Sequence, residues 1–285
     1  MEEDDILQEC KASNQKLLSF LTKPAVLEEL IGLATTEPDN HIKPKKQNST
    51  ENPPCELVEN EALSVLETDT IEESDEKTRY EKANIACELL TSDVSSITDA
   101  LICNKELLSK LYMFIESEKQ LNPLLASFFS KTMSLLFVKR SDLLFEFLKT
   151  KEEFVSHVLK HIETSAVMDF LLKLITGTDN NILRLAISKW LHEKKLIRML
   201  ISIFGVNFSA EAQANSAQLM CDIIKTIRDY QSSQQDNAEP DVLLQDIEST
   251  STVAELLNEI FNTRSESSIV SGINVLQSLL EYKRH

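Results

Sequence analysis

Glycine is almost missing. Only 4 of the 285 residues are glycine, about 1.4% where roughly 7% is ordinary. Tight hairpins and phosphate-cradling loops use glycine for positive φ and for close backbone approach. The scarcity therefore disfavours an all-β fold, a doubly wound α/β fold and most nucleotide-binding enzymes. Leucine runs the other way at 41 residues, and 42% of the chain is hydrophobic, ample for a core. The two biases together point to a leucine-rich all-α protein.

Local signals agree. Asn122 is a good N-cap, and Pro123 suits the first helical position, where its missing N–H costs nothing. Leu125, Phe128, Phe129 and Leu136 then share one face. Thr150 and Glu153 read as a capping box before Phe154. Thr164 is expected to cap the next helix and Gly177 to end it in a left-handed conformation. The expected helices are 4–22, 24–34, 79–91, 94–103, 105–118, 123–138, 142–149, 151–162, 165–176, 180–191, 193–203, 210–231, 241–248, 252–262 and 266–282. Short links between them favour stacked helical hairpins. The expected fold is an all-α helical-repeat solenoid of armadillo or HEAT type, with a compact helical bundle as the alternative. No fixed sequence period of 34 to 47 residues supports the repeats.

Residues 35–78 break the pattern. They hold four of the seven prolines, no glycine and twelve acidic residues. Such a composition buries too little surface to offset chain entropy. It reads as a disordered acidic insertion, which costs the fold little because loop-closure entropy grows only logarithmically with length. The domain reading is 1–34 as the first helices of the solenoid, 35–78 as the insertion and 79–285 as the main helical-repeat domain. Ser64 and Thr70, each with a glutamate three residues on, fit an acid-directed kinase, although a solvated spacer is the blander account.

The formal charge is −17, which opposes nucleic-acid binding because phosphate neutralisation needs clustered Lys and Arg. No run of about 18 apolar residues is present, so no membrane span is expected. The acidic start, Met1-Glu2-Glu3-Asp4-Asp5, suits neither a secretory signal nor a mitochondrial presequence. Cys10, Cys55, Cys87, Cys103 and Cys221 form no C-x-x-C pair and fit buried thiols in a reducing compartment. The expected location is cytoplasmic or nuclear.

Catalytic patterns are missing from the sequence. His157 and His161 share a helix face, but residue 158 is Val where a zinc protease needs Glu. Glu-x-x-His pairs, G-x-S-x-G and a glycine-rich phosphate loop are all absent. Cys87 sits among apolar and acidic neighbours, the wrong setting for a nucleophilic thiolate. Trp190 reads as core. No catalytic residue, cofactor or metal ligand is assigned, and the chain is not expected to be an enzyme.

Charge is the informative remainder. The segments 1–36, 37–80, 81–130, 131–200 and 201–285 carry −4, −7, −3, +4 and −7. Only 131–200 is net basic, and in a solenoid bases from successive repeats line up along a ridge. Lys139, Arg140, Arg184, Lys194, Lys195 and Arg198 are the candidate contacts for an acidic partner surface, or for the chain's own acidic segment; a solvated face is the plainer reading.

Two blocks then carry a resemblance. Cys87-Glu88-Leu89-Leu90-Thr91-Ser92-Asp93-Val94 and Leu121-Asn122-Pro123-Leu124-Leu125-Ala126-Ser127-Phe128-Phe129-Ser130-Lys131 closely resemble the SAPS-domain family, regulatory subunits of protein phosphatase 6 and their yeast relatives. Further colinear matches include Asp5 to Lys11, Thr164 to Asp169, Glu239-Pro240-Asp241 and Glu266 to Ser271. The resemblance implies a helical-repeat scaffold that binds the phosphatase 6 catalytic subunit and helps select its substrates. It implies ankyrin-repeat regulatory subunits as further partners, and no catalytic residues. The rival expectation is a helical-repeat adaptor in trafficking or signalling with no phosphatase.

Overall fold

The structure is a computed structural model that describes residues 3–38, 79–233 and 239–281. Among these residues every regular element is helical. The helices are α1 (Glu3–Lys11), α2 (Gln15–Leu21), α3 (Pro24–Thr35), α4 (79–90), α5 (Ser95–Ile102), α6 (Lys105–Tyr112), α7 (Pro123–Lys139), α8 (Ser141–Lys149), α9 (Phe154–Lys160), α10 (Ser165–Thr176), α11 (Asn181–Glu193), α12 (Leu196–Ser202), α13 (Ala210–Ser233), α14 (Val242–Glu248), α15 (Thr250–Thr263) and α16 (Glu266–Leu280).

Asparagine starts many of them. The side chains of Asn14, Asn104, Asn122 and Asn180 each accept a backbone N–H in the first turn of the helix that follows. Asp241, Ser249 and Ser265 do the same for α14, α15 and α16. Such a cap contributes about 1 kcal/mol and fixes where each rod begins.

The rods stack every third helix. α7, α10, α13 and α16 pack each on the next, as do α8, α11 and α14, then α9, α12 and α15. The pairs α2 with α5 and α3 with α6 continue the rule toward the N-terminus. Each repeat is thus three helices, an armadillo-like unit. We call the columns first, second and third by their order within a repeat.

The first column forms the spine. α7 buries Leu125, Phe128, Phe129, Met133, Leu136 and Phe137 along one side. Phe129 meets Phe170 of α10 edge-on, with ring centroids 6.0 Å apart. On α10 the buried residues are Val167, Met168, Phe170, Leu171, Leu174 and Ile175, the same positions along the helix. First-column helices begin at Pro123, Ser165, Ala210 and Glu266, and the interval widens at each step. Unequal repeat length is why no fixed sequence period exists.

Several local expectations are corrected. The stretch 4–22 is two helices, broken at Ser13, whose φ is +60°, and restarted by the Asn14 cap. Likewise 105–118 stops at Tyr112, where Phe114, Ile115 and Glu116 tighten into i→i+3 hydrogen bonds. Thr150 belongs to the end of α8, its hydroxyl donating to the Phe147 carbonyl, so no capping box opens α9. Thr164 holds the N-cap position of α10 without a side-chain hydrogen bond. Gly177 does end α10, but with φ −89°. Its glycine has a steric cause, because an added Cβ would press on the Lys173 carbonyl and side-chain stem.

The expectations placed on 35–78 fall mostly on 39–78, outside the described residues, as do Ser64 and Thr70. The two described flanks meet, however. Arg79 donates to the Pro38 carbonyl at 3.2 Å and lies 3.7 Å from Glu37. The Asn122 amide donates to Glu37 at 3.2 Å and to the Tyr80 hydroxyl at 2.9 Å, tying this junction to the start of α7.

Gly272 sets the tightest helix approach. A Cβ there would overlap the Ile260 side chain, with Cγ1 2.6 Å away, and Ile260 is itself buried between α15 and α16. Gly272→Ala should destabilise by about 1–3 kcal/mol through overpacking. Adding Ile260→Ala should make the pair less costly than the sum of its parts. Urea unfolding of the four proteins checks this, and strict additivity would contradict the close approach.

Candidate partner-binding surface

Polar side chains whose partners are remote in the chain mostly tie one repeat to the next. The Tyr112 hydroxyl lies 3.1 Å from His157 Nδ1, and buried His161 donates from Nε2 to the Ile115 carbonyl at 3.1 Å. The two histidines therefore serve two separate ties between the second and third repeats. Burial holds the His161 pKa below its usual 6.5, against the opposing pull of the Ile115 carbonyl. Burial also pushes the Tyr112 hydroxyl and the Cys87 thiol up, so neither ionises readily. Trp190 is core, packed between Phe145 and Phe154 with centroids at 5.5 and 5.2 Å.

The basic residues follow the same rule. Lys139 pairs with Asp93 at 2.6 Å and Arg140 with Asp99 at 2.7 Å, both acids one repeat back. Lys194 donates to the Glu152 carbonyl at 3.0 Å, again one repeat back. Arg198 pairs with Glu255 at 3.1 Å, one repeat forward. Lys195 is exposed and begins α12 with φ +60°. That left-handed residue is what splits α11 from α12.

Arg184 stands apart. Only 4% of it is exposed, so it offers no surface contact. Its guanidinium lies 3.4 Å from the centre of the Tyr230 ring and donates to Asn181 Oδ1 at 3.2 Å. Asp241, 1% exposed, is 3.9 Å from Nη1 and accepts from Ser188 Oγ at 2.8 Å and from the Leu243 N–H at 2.9 Å. This cluster fastens α11 to α13 and α14.

The six candidates thus do not form one patch. Lys139 and Arg140 sit where a second-column helix begins. Lys194, Lys195 and Arg198 sit where one ends, and α11, with 13 residues, separates those edges by about 20 Å. Sequence reasoning could count the bases but not foresee their acids, which lie a whole repeat away along the chain.

Comparison with known proteins now decides the family. The SAPS family model, described as SIT4 phosphatase-associated protein, matches residues 133–285, more than half of the chain. The chain belongs to the SAPS family. It is 41% identical, over its full 285 residues, to a Mus musculus protein named serine/threonine-protein phosphatase 6 regulatory subunit 2. It is 39% identical over its full length to the Homo sapiens regulatory subunit 1. Over 98% of its length it is 30% identical to a Schizosaccharomyces pombe protein named extragenic suppressor of kinetochore protein 1. The chain spans 27% of the mouse relative, 29% of the human one and 30% of the yeast one. No solved structure matches it. In this SAPS chain no helix among the described residues is long and apolar enough to cross a membrane.

Two outcomes follow from the polar ties. Arg184→Ala leaves Asp241 buried without its cation and should cost about 2–4 kcal/mol in urea unfolding, whereas exposed Lys195→Ala should change stability by less than about 0.5 kcal/mol. Equal effects would contradict the buried cluster. For His161 the unfolded state takes up a proton near pH 6.5 while the folded state resists it. Its contribution is therefore present above that pH and lost as pH falls below it. His161→Asn, which keeps a donor but does not titrate, should show a shallower loss of stability between about pH 7 and about pH 5. Parallel pH profiles would refute this.

Proposed function

We propose that this chain is part of a non-catalytic regulatory subunit of serine/threonine-protein phosphatase 6, binding the catalytic subunit and helping to choose its substrates. The observation that carries the reading is identity near 40% along the whole chain to proteins named as regulatory subunits of that phosphatase. A stack of helical repeats suits the role, because each repeat adds surface without needing a reaction centre. The work done is tethering. A scaffold that holds enzyme and substrate together raises their effective concentration, and no bond is made or broken on the scaffold itself. Binding should centre on a few desolvated apolar or arginine anchors. Ankyrin-repeat subunits are proposed as further partners on the family resemblance alone.

The test is reconstitution. Purified chain and purified phosphatase 6 catalytic subunit are mixed and passed through size exclusion. Co-elution, with all hydrolytic activity following the catalytic subunit, supports the reading. Separate elution of two folded proteins, or substrate turnover by the chain alone, would overturn it.

A further inference from the structure

The structure sorts the twelve bases of 131–200 into two groups. Eight are engaged by the protein itself. They are Lys139, Arg140, Arg184, Lys194 and Arg198, described above, with Lys149 on Glu146, Lys151 on Glu116 and Lys160 on Glu118. Lys131, Lys173, Lys189 and Lys195 have no ion-pair partner among the described residues, and all four are exposed.

Two of the four sit on adjacent first-column helices. Lys131 is the ninth residue of α7 and Lys173 the ninth of α10. The edge-on contact of Phe129 with Phe170 sets these helices side by side at that level. Both lysines are exposed and lie opposite the buried residues of their own helices. Short side chains flank them one turn away: Ser127 and Ser134 on α7, Thr176 on α10. The Lys173 stem runs over Gly177, the position where a Cβ would collide with it. Asp169, one turn before Lys173, is the one acid on this face of α10.

We propose that this strip docks an extended acidic segment of a partner protein, with Lys131 and Lys173 each taking one carboxylate. Packed helices lie about 8–10 Å apart. A polyproline-II chain repeats its facing every three residues, at about 3.1 Å per residue, so carboxylates at i and i+3 sit about 9 Å apart on one side. A β-strand, with same-side spacings of about 7 or 13 Å, matches the helix spacing less closely. The segment therefore crosses the helices and reads acid-x-x-acid. The short flanking side chains leave room for its backbone. This inference goes beyond the phosphatase reading and stands whether or not that enzyme binds.

The probe is a fluorescein-labelled peptide of proline and serine with two glutamates three residues apart, titrated against the purified chain by anisotropy. Control peptides place the glutamates two and four apart. The three-spaced peptide should bind about fivefold tighter than either control, and Lys131→Glu with Lys173→Glu should weaken it by about tenfold or more and flatten its salt dependence. A peptide carrying lysine for both glutamates should bind the doubly reversed chain and not the natural one. Lys189→Glu with Lys195→Glu should change nothing, and unaltered melting curves show that each variant is folded. Binding that ignores spacing, survives the double reversal or never occurs overturns the proposal. So does binding that emerges only when residues 39–78 are replaced by a short linker, since the strip is then filled by the chain's own acidic segment.

Discussion

Burial of the first-column helices against one another is the constraint on which the molecule depends. α7 has apolar residues covered along its whole length, and no single repeat offers enough surface to cover them. Its first-column neighbour α10 does so, helped by α3 of the third column. The same need passes to α13 and then α16. A three-helix unit is therefore not a fold by itself, and the stack is stable only as a series. Truncating one of the large buried aromatic residues, Phe129 or Phe170, removes contacts from two repeats at once.

Electrostatics follows from this geometry. Stacking brings side chains a full repeat apart in the chain into contact, so acids of one repeat meet bases of the next. Most such pairs are exposed and individually contribute little, about 0–1 kcal/mol. Their larger effect is on what remains for a partner. The stretch that looks basic in sequence is largely neutralised from within, and the uncommitted charge concentrates on a few lysines. The Arg184 cluster shows the other extreme, where burial makes a polar contact a structural fastener.

What could be read from the chain depended on range. Asn122 and Pro123 start α7 because a cap and a fixed φ act within one turn. Trp190 was legible as core from its helical face. The SAPS resemblance was legible because its blocks are contiguous. The break at Ser13 was not legible, and the break between α11 and α12 was read at 192 rather than at Lys195, since nothing in a serine or lysine announces φ +60°. The three-helix repeat escaped because its units share buried positions rather than residue identities, and because the 24-residue α13 lengthens one of them. Arg184 looked like a surface base because its partners are remote in the chain, Tyr230 in the last turn of α13 and Asp241 at the cap of α14.

The functional reading rests on this stacking, since a partner-binding surface assembled from successive repeats exists only if the repeats are in register. The most direct measurement is a distance between nitroxide labels at Lys131 and Gln218, two first-column steps apart. Double electron–electron resonance should give a narrow distribution between about 20 and 25 Å, from two helix spacings of about 10 Å each and the axial offset of α13 against α10. A broad distribution, or one centred far beyond that, would mean that α7, α10 and α13 do not stack as described.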